Sequence, residues 1–388
     1  MLPRHTIRFS AAIPRSPTAS TKVICLRGHR VFPRLPSKLH NSRQAFSNRK
    51  CPQQPHHTSV CSTHPNPLSH FHPAGFLCPA TISEDCLTIN VWSPRGSLAP
   101  SAALAPAYVF IHGGSFEFGS AGIPFFNSSR LASSQGIVVF TFNYRLGVLG
   151  FFQCSNVGIK DQIMALQWVR DNALHFGADP SAVTLAGESA GAYSVFLHLT
   201  LPASVGLFSR AVVESHILRV PMRSRDVSAK WSSDWCSKVG CGSGCASECV
   251  RNASIGNVIG AQDETMVYSL DVASMILSWL PCVDGDLIPM QMYEAIYTHG
   301  GMRSQVPMLI GTNEGEGWMF ISALFPDKPP VPLLFDAILA ASFGPRIAKR
   351  VIDTCATTSL DPSSHVVLLL TAVSGTPTPT RMPPLPKS

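Results

Sequence analysis

The first 83 residues contain no Asp or Glu, although they carry eleven Lys or Arg side chains. The rest of the chain has nineteen basic against twenty-three acidic residues, so the formal net charge of +7 belongs to the N-terminal segment. Nucleic-acid binding needs basic side chains clustered on the folded surface. No nucleic-acid partner is therefore expected.

Long hydrophobic runs are also missing. No apolar run approaches the roughly 18 residues of a membrane-spanning helix, and Val366–Leu370 is a short one. Residues 1–30 lack the apolar core of about 7–15 residues that marks a secretory signal. Their Arg-rich, acid-free composition resembles a transit peptide. The alternative interpretation is a disordered or wrongly assembled N-terminus.

Cysteine is plentiful, with twelve residues in 388. This number favours disulfides and, with the sequons at Asn127 and Asn252, an extracellular or secreted protein. Cys241, Cys245 and Cys249 are evenly spaced, but no histidine lies near them in sequence to complete a metal site. A small disulfide-closed loop is the favoured interpretation, and the prediction includes neither a metal nor a cofactor.

Three zones divide the chain. Residues 1–80 are rich in Pro, Ser, His and Arg and are predicted to be loop or disordered, and residues 326–388 form a divergent Pro-rich tail. Residues 81–325 alternate short apolar runs with helical patterns. The runs predicted as strands are Tyr108–Ile111, Ile137–Phe142, Ala182–Leu185, Ala211–Val213 and Val306–Ile310.

One helix is predicted between the second and third of these strands. Ile159, Ile163, Leu166, Val169 and Ala173 recur at helical spacing and give one apolar face. Strands separated by helices indicate an α/β fold with a mostly parallel, doubly wound sheet flanked by helices.

The sharpest local motif is the G-x-S-x-G string of residues 187–191, centred on Ser189. An apolar run precedes it and a helix-compatible stretch follows it, as a nucleophile elbow requires. A plain glycine-flanked turn is the alternative. Upstream, His112-Gly113-Gly114-Ser115-Phe116 directly follows a predicted strand. Its glycines leave backbone N–H groups free to approach a ligand, as an oxyanion hole needs.

Three strings in order resemble the signatures of the type-B carboxylesterase (cholinesterase-like) family, within the α/β-hydrolase superfamily. They are Ser83–Val91, His112–Phe116 and Phe176–Val195. The resemblance extends over about residues 82–320 and implies an α/β-hydrolase core that cleaves carboxylic esters through a serine acyl-enzyme. The implied substrate is a small-molecule or lipid-like ester.

The resemblance also implies roles for individual residues. Ser189 falls on the nucleophile, and the N–H groups of Gly114, Ser115 and Ala190 fall on the oxyanion hole. Glu316 falls on the acid that orients the catalytic histidine, with Glu314 as the competing choice.

Structural pairings are implied in the same way. Cys86 would pair with an upstream cysteine, Cys51 being favoured, and Cys241 with Cys249. Arg145 and Asp179 are expected to form a structural ion pair.

The sequence departs from the family at the triad histidine. His365 is the only histidine after Glu316, and it lacks the family's surrounding motif. His112 is interpreted as a scaffold residue, and His216 as a packing or surface residue. A serine without a base keeps only residual catalysis. The alternatives to an active esterase are therefore a truncated, catalytically inactive homologue and a cholinesterase-like binding protein.

The substrate is less well specified. Between Cys51 and Cys86 there is no Trp or Tyr to hold a quaternary ammonium by a cation–π contact, which disfavours choline esters. Phe116, Phe118, Phe125 and Phe126 could line an apolar pocket, and ordinary core packing explains them equally well.

Overall fold

The computed structural model describes residues 19–25 (backbone only), 86–99, 101–216, 220–266, 278–298 and 302–313, and the isolated positions 349 and 353. Glu314, Glu316, His365 and Cys51 lie outside the described residues. The same holds for residues 326–388, apart from the two isolated positions.

The described strands form one seven-stranded sheet in the order β1-β2-β4-β3-β5-β6-β7. β3 to β7 run parallel to one another, whereas β2 is antiparallel to both of its neighbours, β1 and β4. The strands are β1 (Ala19–Cys25), β2 (Thr88–Pro94), β3 (Ala105–Ile111), β4 (Val138–Phe142), β5 (Ala178–Glu188), β6 (Arg210–Glu214) and β7 (Met308–Gly311). The predicted mostly parallel sheet is confirmed.

Helices flank this sheet. Those described are α1 (Ser129–Gln135), α2 (Gly147–Phe151), α3 (Val157–Asn172), α4 (Ala190–Thr200), α5 (Arg225–Lys238), α6 (Ser247–Asn252), α7 (Ile255–Met266) and α8 (Met292–Thr298). No described helix is long and apolar enough to cross a membrane.

The central strands are apolar because both of their faces are covered. Every residue of β4 is buried, including Thr141, as expected for a strand packed on both sides. The predicted helical face is confirmed in α3, where Ile159, Ile163, Leu166 and Val169 are buried. Ala173 is also buried, in the short turn after the helix.

The N-terminal segment differs from the prediction at one place. Ala19–Cys25 form strand β1 and pair with β2 in register from Ala19 with Pro94 to Cys25 with Thr88. In this strand three polar residues, Ser20 to Lys22, are followed by three apolar ones, Val23 to Cys25, so no alternation of period two marks it as a strand. The division of the chain into three zones remains a prediction.

Three disulfides are described. Cys241–Cys249 confirms the predicted pair, while Cys236–Cys245 and Cys154–Cys282 were not predicted. The pairing of Cys86 with Cys51 remains a prediction.

The expected ion pair between Arg145 and Asp179 is wrong. The Arg145 guanidinium donates to both carboxylate oxygens of Asp161, with an Nη2–Oδ1 distance of 2.6 Å and an Nε–Oδ2 distance of 2.7 Å. Asp161 is buried on α3, which packs beside the loop that carries Arg145. Asp179 instead accepts from the backbone N–H and hydroxyl of Ser181.

Candidate active site

Ser189 occupies the abrupt turn between β5, which ends at Glu188, and α4, which begins at Ala190. Its backbone has φ 56° and ψ −117°, a left-handed conformation that costs a non-glycine residue on the order of 1–3 kcal/mol. The predicted sequence of strand, serine and helix is therefore present. Such a turn places a serine hydroxyl at its tip.

The glycines around Ser189 are required by packing. A Cβ on Gly187 would collide with the backbone of Gly191, and a Cβ on Gly191 would collide with the carbonyl oxygen of Ile111. Only glycine at these positions allows α4 to lie so close to the end of β3.

Hydrogen bonds fix the backbone of the turn. The Ser189 N–H donates to the Glu214 carbonyl at 3.0 Å, and the Tyr193 N–H donates to the Ser189 carbonyl at 2.9 Å. The turn is thus tied both to the end of β6 and to the first turn of α4.

The glycine loop lies directly against this turn. A Cβ on Gly113 would be 3.2 Å from the Ser189 Cβ and 2.9 Å from the Glu188 carbonyl oxygen. Gly114, Ser115 and Phe116 follow with φ values of 105°, 56° and 63°, so the loop turns sharply after β3. Because β3 and β5 are neighbours in the sheet, their carboxyl ends bring the loop and Ser189 together.

The structure therefore brings Gly113, which directly precedes Gly114 and Ser115, against Ser189 and its neighbour Glu188. The oxyanion-hole roles of Gly114, Ser115 and Ala190 remain predictions. Ser115 is buried and Ser189 is half-buried. The described chain also leads toward the predicted acid. The Ser215 N–H donates to the Gly311 carbonyl at 2.8 Å, and the Asn313 side chain donates to the Ser215 hydroxyl at 3.3 Å. Glu314 and Glu316 come just after this anchored segment.

His112 is a scaffold residue, as predicted. Its ring is buried and stacks on Tyr144 with a centroid distance of 4.6 Å, and its Nδ1–H donates to the Gly113 carbonyl at 2.8 Å. Burial lowers the pKa of His112 to about 4, against the opposing effect of that hydrogen bond. The ring is neutral at physiological pH and stiffens the loop.

His216 packs in the interior, which confirms the packing interpretation and excludes the surface one. Its ring contacts those of Tyr193 and Phe196 at centroid distances of 5.3 and 4.8 Å. Neither ring nitrogen has a hydrogen-bond partner among the described residues. Burial lowers the pKa of His216 to about 3.

A buried polar chain holds α4 against α3. The His198 Nε2–H donates to the Gln162 Oε1 at 3.0 Å, and the Gln162 amide donates to the Ser194 hydroxyl at 3.0 Å. Ser194 in turn donates to the Ala190 carbonyl at 2.9 Å. Burial lowers the pKa of His198 to about 3, so it is neutral in this chain of hydrogen bonds.

The aromatic residues near the loop separate into two groups. Phe116 is fully buried and meets Tyr144, Phe151 and Tyr193 edge to face, so it belongs to the core. Phe125 is 69% exposed. Phe116 therefore does not line a pocket, and core packing is the correct interpretation of it.

Glu117 is the residue near the site that the sequence analysis missed. It is a buried carboxyl group directly after the glycine loop. The available signal was an acidic residue placed between two phenylalanines, Phe116 and Phe118, in an otherwise apolar and glycine-rich loop. In the described part of the chain, no group of three or more His, Cys, Asp or Glu side chains could hold a metal ion.

The family model of the carboxylesterase family matches residues 32–351 of the chain. This chain belongs to the carboxylesterase family. The family assignment agrees with the elbow at Ser189 and the glycine loop beside it, and it confirms the predicted α/β-hydrolase fold.

Curated relatives give the same family. The para-nitrobenzyl esterase of Bacillus subtilis (strain 168) is 34% identical over 280 residues, which is 70% of this chain and 55% of that protein. The cAMP-regulated D2 protein of Dictyostelium discoideum is 34% identical over 283 residues, 72% of this chain and 51% of that protein. Human bile salt-activated lipase is 34% identical over 261 residues, 63% of this chain and 34% of that protein.

A solved PNB esterase shares the architecture, with a TM-score of 0.64 and 30% sequence identity over 77% of this chain and 63% of that one. A thermophilic PNB esterase gives a TM-score of 0.65 at 29% identity. This carboxylesterase chain spans about half the length of the first two curated relatives.

Proposed function

We propose that the protein hydrolyses carboxylic esters through an acyl-enzyme formed on Ser189. The observation that carries this proposal is the contact between the strained serine turn and the glycine loop. The Gly113 backbone comes so close to Ser189 that a Cβ there would be 3.2 Å from the Ser189 Cβ. A serine at an elbow beside the backbone N–H groups of a glycine loop is the arrangement that acyl transfer needs.

In the proposed reaction, Ser189 Oγ attacks the ester carbonyl carbon while its proton passes to a histidine base. The N–H groups of Gly114, Ser115 and Ala190 donate to the oxyanion. The tetrahedral intermediate collapses, the alcohol leaves with the proton, and water then hydrolyses the acyl-enzyme by the same steps. Glu316 is proposed to orient the histidine.

The oxyanion hole matters as much as the nucleophile. Loss of one such donor costs about 3 kcal/mol of transition-state stabilisation. The φ values of 105° at Gly114 and 56° at Ser115 turn the loop in a left-handed sense. Successive backbone amides in such a turn can converge on one anion, which supports the proposed roles of these two residues.

An inactive homologue or a cholinesterase-like binding protein is the second candidate. It is supported by the state of the described buried histidines. His112 and His198 are hydrogen-bonded elsewhere, and His216 packs on Tyr193 and Phe196. None of these three is placed as a base, and the weak candidate His365 lies outside the described residues.

We further propose a small-molecule or lipid-like ester as substrate, and secretion as a glycoprotein. Among the relatives, one is named para-nitrobenzyl esterase and another bile salt-activated lipase. Both sequon asparagines, Asn127 and Asn252, are exposed, and three disulfides are described. Expression in a eukaryotic secretory host, followed by removal of N-glycans, should reduce the apparent mass, and the Asn127→Gln, Asn252→Gln double variant should show no reduction.

The proposed activity is tested with p-nitrophenyl acetate and p-nitrophenyl butyrate. Release of p-nitrophenol by the purified chain, lost in Ser189→Ala, and a mass increase of one acyl group on the peptide carrying Ser189 would support the acyl-enzyme. A folded chain that releases no p-nitrophenol above the level of Ser189→Ala would favour the inactive homologue.

A further inference from the structure

Glu117 holds the turn that follows the glycine loop. Its N–H and that of Phe118 both donate to the Gly114 carbonyl, at 2.9 and 3.0 Å. On the other side of the turn, the Gly147 N–H donates to the Phe116 carbonyl at 2.6 Å. The backbone around Glu117 therefore sets the shape of the loop that is proposed to hold the oxyanion.

The Glu117 side chain reaches a segment that is far away in sequence. Its Oε1 accepts from the backbone N–H groups of Ser278 and Trp279, at 2.8 and 3.2 Å. The Glu117 side chain thus links the turn of the glycine loop to the chain that enters the described residues at Ser278. The Ser278 side chain is also hydrogen-bonded to the Glu117 carboxyl group.

The surroundings of the carboxyl group disfavour a charge. Glu117 is 3% exposed, and its Oε2 has no hydrogen-bond partner among the described residues. No described Lys, Arg or His forms an ion pair with it. A buried carboxylate with one bare oxygen and no cation costs considerably more free energy than the neutral acid in the same place.

The charged and titratable neighbours point the same way. Burial raises the pKa of Glu117 to about 8, against the hydrogen bonds from the Ser278 and Trp279 backbone and the Ser278 side chain. The like charge of Asp263, on α7, adds a smaller effect in the same direction. From its own loop, His112 is neutral because burial lowers its pKa to about 4. The segment at Ser278 and Trp279 presents two backbone N–H groups and the Ser278 side chain to the carboxyl group.

We propose that Glu117 is a positioning residue that, as a neutral acid, latches the glycine loop to the Ser278–Trp279 backbone and releases the loop when it ionises. Ionisation strengthens the hydrogen bonds at Oε1 but leaves charge on the bare, buried Oε2. The loop relieves this cost by moving so that water reaches Oε2. Gly114 and Ser115, which follow Gly113 in the loop, then move away from Ser189. This latch would switch off the site under alkaline conditions without touching the nucleophile.

The latch has a consequence for folding that is independent of activity. Glu117 is neutral in the fold but ionises near its ordinary pKa of about 4.5 in the unfolded chain. Between these two pKa values the folded chain binds the extra proton, so rising pH favours unfolding until the folded pKa is passed. Glu117→Gln keeps an acceptor at the Oε1 position and cannot ionise.

The test compares the full chain with Glu117→Gln, Glu117→Ala and the control Glu248→Gln, which changes an exposed carboxylate on α6. The midpoint of thermal unfolding is measured from pH 5 to 9.5. The midpoint of Glu117→Gln should exceed that of the wild type by a margin that grows from pH 5 to about 8 and then stays constant. A margin that does not change with pH, or that matches Glu248→Gln, would overturn the latch.

The second readout rests on the proposed esterase function. The rate of fluorophosphonate labelling of the wild type should fall above about pH 8, while Glu117→Gln should keep its neutral-pH rate. Glu117→Ala should label at least tenfold more slowly at pH 7, with rescue by Gln. Equal alkaline losses in wild type and Glu117→Gln would overturn the latch. Absence of labelling in every variant would count against the esterase function alone, and the unfolding margins would then decide the latch.

Discussion

The Ser189 N–H donates to the Glu214 carbonyl across the gap between β5 and β6, at 3.0 Å. This bond continues the parallel pairing of the two strands by one residue beyond Glu188 and Glu214, the last pair in register. The strained serine is therefore held by its neighbouring strand, and the glycine loop approaches it from the other side. The backbone at Ser189 is therefore held by β6 on one side and by the glycine loop on the other, without any bound substrate.

Gly113→Ala should weaken the site strongly with a smaller effect on stability. The added Cβ would lie 2.9 Å from the Glu188 carbonyl oxygen and 3.2 Å from the Ser189 Cβ, so the loop must move off the serine. We expect the fluorophosphonate labelling rate to fall by about 10²-fold or more, the effect of losing an oxyanion-hole donor.

Gly260→Ala is the matched control for this change. A Cβ at Gly260, on α7, meets no atom within 4 Å, and Ala stabilises a helix relative to Gly. Its labelling rate should equal that of the wild type. If Gly113→Ala labelled as fast as Gly260→Ala, the glycine loop would not be part of the site.

Asp161→Asn should destabilise the fold. The substitution leaves the Arg145 guanidinium, which is 33% exposed, without the carboxylate that accepts both of its hydrogen bonds. We expect a loss of about 3 kcal/mol in the free energy of unfolding, measured by urea denaturation.

The exposed pair between Arg170 and Asp171 provides the comparison, since both side chains are well solvated. Asp171→Asn should change the free energy of unfolding by less than about 1 kcal/mol. A small effect of Asp161→Asn as well would show that the Arg145 pair does not anchor α3.

Some of these features could be predicted from sequence and others could not. The strands, the helix around Ile163 and the elbow at Ser189 depend on local period and on glycine spacing, which are visible in a short window. The predicted ion-pair partner of Arg145, Asp179, was wrong. The sequence does not show that α3 packs against the Arg145 loop, and this packing places Asp161 beside the guanidinium while Asp179 accepts from Ser181.

Contacts between residues far apart in the sequence could not be predicted either, because they too depend on tertiary packing. Cys154 and Cys282 are 128 residues apart in the sequence, and nothing local distinguishes this pair from other pairings of twelve cysteines. Glu117 was missed because its environment is set by Ser278 and Trp279, more than 160 residues later in the chain. The acid Glu316 could be assigned only through family resemblance.

His216→Phe should make the protein less sensitive to acid. His216 is neutral in the fold because burial lowers its pKa to about 3, whereas the unfolded chain takes up a proton below about pH 6.5. Stability is therefore lost as pH falls from 6.5, at about 1.4 kcal/mol per pH unit for one histidine. Phe keeps the ring contacts with Tyr193 and Phe196 and removes the titration, so the loss between pH 6.5 and 5 should be smaller by about 2 kcal/mol.

This prediction is checked by urea denaturation at pH 5, 6 and 7. His112 and His198 retain their own acid sensitivity, so the variant should still lose stability on acidification. The exposed His175 provides the surface control, and His175→Phe is measured at the same three pH values. An identical pH dependence in His216→Phe and wild type would show that the His216 ring is already solvated in the fold.

The central claim is that Ser189 is an activated nucleophile, and fluorophosphonate labelling of the full chain tests it most directly, because the reagent needs no knowledge of the natural ester. The control is Ser189→Ala with an unchanged unfolding midpoint. We expect the wild type to be labelled on the peptide carrying Ser189 and the variant to remain unlabelled. A folded wild-type chain that remains unlabelled, or is labelled equally in Ser189→Ala, would contradict it.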